Sequence, residues 1–336
     1  MPLLFIDGFD HYATADILKK WQSITGSPTI NASGGRRGGG CLEGIASGRY
    51  VGRGYANQSE VVVGFAFKPS TLSAAGSNRY ALALLDGSTI QVAFHFASDG
   101  SVIAYRGSPV TNVLGSSASG IVGTGAYNYF EFRVLHHASA GEVEVRLNGA
   151  QILSLTGLNT APTGNAWSNG FRSGVAGSTD GSTGSFDDLY VYGGGTFLGD
   201  VRIDAIYPNG AGTHQAWTPS TGADHAALVD ETAPNTTDYL TGGAAGTKET
   251  LALQDLSING AILGVQVNNA VSKTDAGACT IKNLIRSGSS EASGPTYAPS
   301  TTYLYSSSIH ETDPATGAPW LTAAINALEA GAEVVS

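Results

Sequence analysis

Between residues 59 and 193, apolar and polar residues alternate with a period of two, in short runs broken by glycine turns. That pattern suits half-buried strands and little else. In SEVVVGFAFKP, Val61, Val63, Phe65 and Phe67 fall on one face. TIQVAFHFASDG places Ile90, Val92, Phe94 and Phe96 inward and Gln91 and His95 outward. YNYFEFRVLHH puts Phe130, Phe132 and Val134 on one face. In GEVEVRLNGAQILSLTG two strands flank Asn148-Gly149, the dipeptide favoured in type I′ hairpin turns, with Val143, Val145, Leu147 and Ile152 inward. RYALALLDG, SVIAYRG and SFDDLYVYG supply further strands. Strands so closely spaced, with turns between them, predict an antiparallel sandwich. A glycine content of 46 in 336 residues and a charged fraction of 13% agree, and argue against coiled coils and basic nucleic-acid binders.

The length suits two domains, each able to bury a core. Charge is unevenly placed. Residues 1–199 hold 12 Lys+Arg and 13 Asp+Glu, whereas residues 200–336 hold 5 and 14. The acidic half would be repelled by phosphate backbones, so no direct nucleic-acid contact is expected. The balance changes at GGGTFLGD (193–200), whose glycines weaken any strand. The expected organisation is all-β: a sandwich at 1–195, a linker at 196–200 and a smaller β-sandwich at 201–336. In the second part VRIDAIYP, ETLALQDL, AILGVQVNNAVSK, ACTIKNLIRSG and STTYLYSSSIHE read as strands. Residues 209–240 are polar, with few apolar anchors (Trp217, Leu228, Val229, Tyr239). In PWLTAAINALEAG, Trp320, Ala324 and Leu328 recur at i, i+4 and i+8, with Leu321 and Ile325 beside them. That spacing predicts one short α-helix opened by Pro319 and capped by Gly331, with a tail strand EVV after it.

Several segments carry a resemblance. DGFDHY, GRRGGGCL, VEVRLNG with ILSLTG, and FDDLYV followed by FLGDVRI are joined further on by YPNGAG, WTPSTGADH, VDETAPNTTDY, KTDAGA and ETDPATGAPW. Together and in this order they resemble a family of tailed-bacteriophage virion structural proteins, whose first domain is a concanavalin A-like lectin/glucanase (laminin G-like) jelly roll. The resemblance runs over essentially the whole chain. It implies a tail, tail-fibre, neck or head-decoration component, a homo-oligomer contacting other virion proteins, and no cofactor. It brings no catalytic residues.

A glucanase of this fold needs paired carboxylates. Glu142 and Glu144 lie two apart on one strand, but EVEVRLNG lacks the third acid of the Glu-x-Asp-x-x-Glu strand usual in such enzymes. A solvated face paired with Arg133 or Arg146 is the expected reading, so no enzyme is expected. His136 and His137 are adjacent and point to opposite faces, and no histidine stands at zinc-ligand spacing. Asp180, Asp187 and Asp188 would be the acids of a calcium site, short of the six or so oxygens such an ion takes, and no metal is expected. Glycan contact, with host surface polysaccharide as a further partner, would fall to Tyr105 and Arg106 at a strand end and to Trp167 and Arg172 in NAWSNGFRSG. GGRRGGG (34–40) lacks the Lys-Ser/Thr ending of a phosphate loop and reads as a β-connection. No apolar run is long enough to span a membrane, and MPLLFIDGFDHY lacks the basic start of a signal peptide. A chain made in the bacterial host cytoplasm and delivered to the virion by assembly is therefore expected.

Cys41 and Cys279 fall in different halves, and both are expected as thiols. Thiol titration of the unfolded chain without reductant should find both; finding neither would show a bridge.

Overall fold

The computed structural model describes residues 2–43, 49–72, 80–108, 112–176, 183–258 and 260–336. The chain divides into two units, Met1–Ile203 and Asp204–Ser336.

In chain order the first unit contains β1 (Leu3–Asp7), α1 (Ile17–Lys20), β2 (Ser23–Thr25), β3 (Thr29–Asn31), β4 (Cys41–Glu43), β5 (Arg49–Gln58), β6 (Glu60–Thr71) and β7 (Tyr80–Asp86). It continues with β8 (Thr89–Phe96), β9 (Val102–Arg106), β10 (Val113–Ser116), β11 (Asn128–Leu135), β12 (Gly141–Leu147), β13 (Ala150–Leu158), β14 (Ser168–Ala176) and β15 (Thr183–Gly193). One antiparallel sheet runs β13-β12-β11-β6-β15-β4-β3, with β1 also on β15, and the other runs β10-β9-β8-β7-β14-β5-β2. Strands far apart in sequence therefore lie side by side, β6 with β15 and β7 with β14. This is the crossing pattern of a jelly-roll sandwich.

Between the sheets the alternating aromatics meet. Phe67 stacks on Phe96 with ring centroids 5.0 Å apart, and Phe94 meets Phe132 at 4.7 Å. Such pairs add to the burial of their large apolar surfaces. The Asn148-Gly149 turn has φ of 49° and 83°, both positive as type I′ requires.

Local irregularities displace two residues expected to face inward. A register shift between Val145 and Arg146 pairs Leu153 with Val145, so Leu153 is the buried residue and Ile152 is not. A shift at Leu84/Leu85 turns Ile90 onto the outer cluster of Tyr80, Ala83, Leu85 and Ala93. Gln91 and His95 face away from the aromatic core as expected, yet both are buried, so this sheet is covered on both faces along β8. The start of the chain includes α1, and Trp21 beyond it is buried against Phe5 and Phe171.

The second unit contains β16 (Pro208–Gln215), β17 (Thr218–Pro219), β18 (Leu240–Thr241), β19 (Lys248–Leu253), β20 (Val265–Val271), β21 (Ile281–Ser287), β22 (Ser290–Ser293), β23 (Leu304–His310), α2 (Thr322–Ile325) and β24 (Glu329–Val334). Five strands form one sheet in the order β16-β19-β24-β21-β22, and β17-β18 and β20-β23 form two-stranded ladders. The β20-β23 ribbon lies over the sheet. Val267 packs with Ile285, Trp320, Ile325 and Leu328, and Asn269 Nδ2 donates to the Gly331 carbonyl at 2.8 Å.

Here too the structure revises the sequence reading. Residues 201–207 form no strand, and the first begins at Pro208. The helix is one turn long, because Ile325 and Leu328 reach the core from that turn and the bend after it. Gly331, expected as a helix cap, sits inside β24 between β19 and β21. A Cβ at Gly331 would lie 1.9 Å from the Glu249 carbonyl oxygen. Backbone on backbone cannot give way, so Gly331→Ala should destabilise the second unit by about 3 kcal/mol, read as a lowered denaturant midpoint.

Candidate functional site

Two polar assemblies stand out in the first unit, one on the outer side of each sheet. The first begins with a bulge. In β15, Asp187 pairs with Ala66 and Tyr190 with Gly64, leaving two residues opposite one. Asp188 takes a φ of 50° there. Neighbouring strand residues normally point to opposite faces, but this bulge brings both carboxylates to Arg36. Asp187 Oδ2 accepts the Arg36 backbone N–H at 2.7 Å, and Asp188 Oδ2 accepts Nε at 2.9 Å and Nη2 at 2.8 Å. Arg36 Nη1 reaches Asp200 Oδ1 at 2.6 Å, and Nη2 donates to the Val201 carbonyl at 2.6 Å. The Ile203 N–H donates to Asp188 Oδ1 at 2.7 Å, and the guanidinium lies 5.0 Å from the Tyr129 ring centre.

Residues 196–200, read from sequence as a linker, are thus held on the first sheet. Tyr190 Oη donates to Glu131 Oε1 at 2.5 Å across Gly64, and the same oxygen accepts the Gly199 N–H at 2.8 Å. Arg146 lies 3.9 Å over the Phe197 ring. Burial, and then the charge of Asp188, push the Asp187 carboxyl up to about 7. Asp187 and Asp188 are therefore engaged by Arg36 and backbone N–H groups, while Asp180 lies outside the described residues. Chemically the assembly is a clasp.

The second assembly is a row across the other sheet. Tyr105 pairs with Ala93, Ala93 with Ala83, and Ala83 with Arg172. Two candidates, far apart in sequence, thus share one face and one register row, with two alanines between them. Arg172 lies 4.9 Å over the Tyr50 ring, and Tyr50 and Tyr80 have centroids 6.5 Å apart. Burial holds the Tyr80 phenol above its ordinary range, with Arg172 pulling the other way. Tyr105 is 2% exposed and packs with Ala97 and Ile103, so it contributes floor rather than contact surface. Tyr50 and Arg172 are half-buried and offer the accessible ring and guanidinium.

The other two candidates lie elsewhere. Arg106 follows Tyr105 and so turns to the opposite side of β9, where its Nε is buried without a hydrogen bond. Trp167 is half-buried just before β14, and its carbonyl accepts from Gln91 Nε2 at 2.9 Å. Gln91 also donates to the Asn165 carbonyl and to Thr163 Oγ1, both at 2.9 Å, which explains why a strand glutamine is buried. Sequence reasoning missed Tyr50 and Tyr80. The signal for Tyr50 is the two-residue spacing of Tyr50, Gly52 and Gly54, where glycines replace the side chains that usually mark a strand.

The remaining acids are engaged as well. Glu142 Oε2 lies 3.0 Å from Arg133, and Glu144 Oε1 lies 2.8 Å from Arg146. Arg133 is also paired with Glu60 at 2.5 Å. His136 is buried and His137 exposed, and burial lowers His136 to about 4. Cys41 is buried and Cys279 half-buried, both as thiols, and burial raises Cys41 to about 12, which leaves it unreactive.

No protein-family model and no curated protein matches the sequence. Among solved structures, the alginate lyase Aly36B is 11% identical with a TM-score of 0.38, over 61% of this chain and 100% of that one. Domain 4 of AbnA, a GH43 extracellular arabinanase from Geobacillus stearothermophilus, in complex with arabinotriose, is 17% identical with a TM-score of 0.39, over 58% and 96%. A Bacillus subtilis protein with a galectin-like fold is 13% identical with a TM-score of 0.37, over 57% and 96%. At these identities and scores the likenesses carry no argument about this chain's activity.

The raised Asp187 sets a pH dependence. Its folded state holds a proton that the unfolded chain releases near 4, so ionisation costs stability as pH rises from about 4 towards 7. Asp187→Asn removes this ionisation, and its amide keeps only one of the two oxygens that accept the Arg36 and Asp188 N–H groups. The lost acceptor costs stability at every pH, so relative to the native chain the variant should be destabilised at pH 4 and recover about 1–3 kcal/mol of that loss by pH 8. Denaturant titrations at both pH values check this.

Proposed function

We propose that this chain is a non-enzymatic structural component of a tailed-phage virion, assembled with other virion proteins, in which the jelly roll acts as a lectin-like display domain. The observation that carries the non-enzymatic part is the state of the carboxylates. Glu142 and Glu144, the pair that glycan hydrolysis would call on, are tied to Arg133 and Arg146. Both side chains are committed to ion pairs on the strand face, and EVEVRLNG lacks the third acid usual in glucanases of this fold. The virion part rests on the ordered motifs that run through both units, from DGFDHY to ETDPATGAPW.

A second reading, attachment to host surface polysaccharide, is favoured by one arrangement. Tyr50 and Arg172 pair a half-exposed aromatic ring with a planar hydrogen-bond donor, the two elements that sugar recognition uses.

Purified particles should contain the chain at fixed stoichiometry by quantitative mass spectrometry. Incubation with host polysaccharide should release no reducing ends. Absence from particles, or sugar release that Glu144→Gln abolishes, would overturn the proposal. On a glycan array the attachment reading expects Arg172→Ala to weaken binding about tenfold, which is ~1.4 kcal/mol.

A further inference from the structure

The second unit is strongly acidic, with 4 Lys+Arg against 13 Asp+Glu over residues 204–336. Its charges avoid part of the fold. Residues 256–272, 292–310 and 314–328 contain no Asp, Glu, Lys or Arg, although the chain is 13% charged. These segments are separate in sequence and adjacent in space. They supply both strands of the β20-β23 ribbon, the antiparallel bridge between Ile262 and Trp320, and α2.

Two further features mark this face. Leu263 is 42% exposed and Leu321 is 71% exposed, the latter the most exposed large apolar side chain among the described residues. They follow the bridged residues Ile262 and Trp320, whose side chains pack into the core, so alternation turns both leucines outward. The ribbon itself pairs seven residues in unbroken register, Val265 with His310 through Val271 with Leu304. Alternation puts Gln266, Asn268, Ala270, Tyr305, Ser307 and Ile309 on its side away from Val267, where Tyr305 is buried and the others are half-buried. Among the described residues no third strand joins the ribbon. Proteins usually guard such an edge with lysine, proline or a bulge. This ribbon has none of the three.

We infer that this uncharged face is where a second copy of the chain docks. The charge pattern selects the occupant. A basic partner would gain nothing from a face without carboxylates and would be drawn to the acidic remainder of the unit. Two copies of an acidic unit repel one another over most approaches. They can meet over the surface where neither carries charge, and an isologous contact needs such a self-compatible patch. Charge depletion with exposed apolar side chains is also the composition of an interface core. The inference does not depend on the virion reading, because self-association is measurable on the isolated chain.

Light scattering on the full chain, over about a hundredfold range of concentration, tests it. The native chain should show an assembled mass that falls to that of one chain in Leu321→Glu. Ala270→Lys should do the same, and it serves if Leu321→Glu fails to fold by circular dichroism and thermal melting. Asp230→Lys, at an exposed acidic position outside the face, should leave the assembled mass unchanged. A one-chain mass for the native protein at every concentration would overturn the inference. So would assembly that survives both face substitutions, or assembly that Asp230→Lys also abolishes.

Discussion

The first unit depends on one half-buried cation. Arg36 has carboxylates on two sides, a carbonyl on a third and an aromatic ring beneath, and these partners belong to three separate segments. Taking an arginine and two aspartates out of water is expensive, and the return comes only when geometry is good and the leftover lone pairs are filled. That condition explains the neighbouring details. Asp188 adopts positive φ so that its carboxylate faces Arg36, and its second oxygen takes the Ile203 N–H. Asp187 takes the N–H groups of Arg36 and Asp188. The glycines around Arg36 have the same origin. A Cβ at Gly40 would lie 2.1 Å from the Phe9 carbonyl oxygen, so only glycine lets this loop approach. The Gly-rich segment, read from sequence as a β-connection, is therefore part of a clasp.

A second buried charge follows the same rule with different partners. Lys20 is 1% exposed and its ammonium lies 3.2 Å from Asp7. Asp7 also accepts from Tyr12 Oη at 2.7 Å, Trp21 Nε1 at 3.0 Å and the Phe9 N–H at 2.9 Å. Burial lowers Lys20 to about 8, with Asp7 opposing, and lowers His11 to about 3. A neutral His11 can accept the proton that Lys20 Nζ presents at 2.9 Å, whereas a charged one would repel it. The cluster organises the aromatic residues at the start of the chain. Phe5, Phe9 and Trp21 pack edge-on and stacked around it, so polar satisfaction and apolar burial are won by the same residues.

What the sequence made legible was what period two can carry. Phe65, Phe67, Phe94, Phe96, Phe130 and Phe132 fell where alternation placed them, and Asn148-Gly149 closed the hairpin it signalled. What alternation could not carry was any step out of register. Ile152, Ile90 and the Asp187-Asp188 pair sit beside shifts of a single residue, and one residue reverses the face. Helical spacing misled in the same way at the end of the chain. Trp320, Ile325 and Leu328 do share a core, but one turn and a bend bring them together, and Gly331 belongs to a strand. Of the four glycan candidates, Tyr105 and Arg172 were placed on one face by pairings between strands, information no local window holds. The burial of Tyr105 comes from the covering of that face, which period two does not encode.

The two units solve the same problem with different means. In the first, stacked aromatics fill the space between sheets, and the few charges are held in clasps. In the second, buried positions include Thr250, Asn283, Ser306 and Ser308, and the ladder β20-β23 is held to its sheet through amides. Asn283 donates to the carbonyls of Val267 at 3.3 Å and Ser306 at 3.0 Å, and Asn269 donates to Asn283 Oδ1 at 3.0 Å. A layer tied by side-chain amides buries less apolar area than one packed by phenylalanine, and so derives less from the hydrophobic effect. A two-stranded ribbon is marginal in water unless something packs against it. Here one side of the ribbon has the sheet, and the other has only uncharged side chains. The low charge that weakens solvation of that side is also what would let it be covered. Uncharged, half-buried side chains of this kind are what the core of an interface is made of.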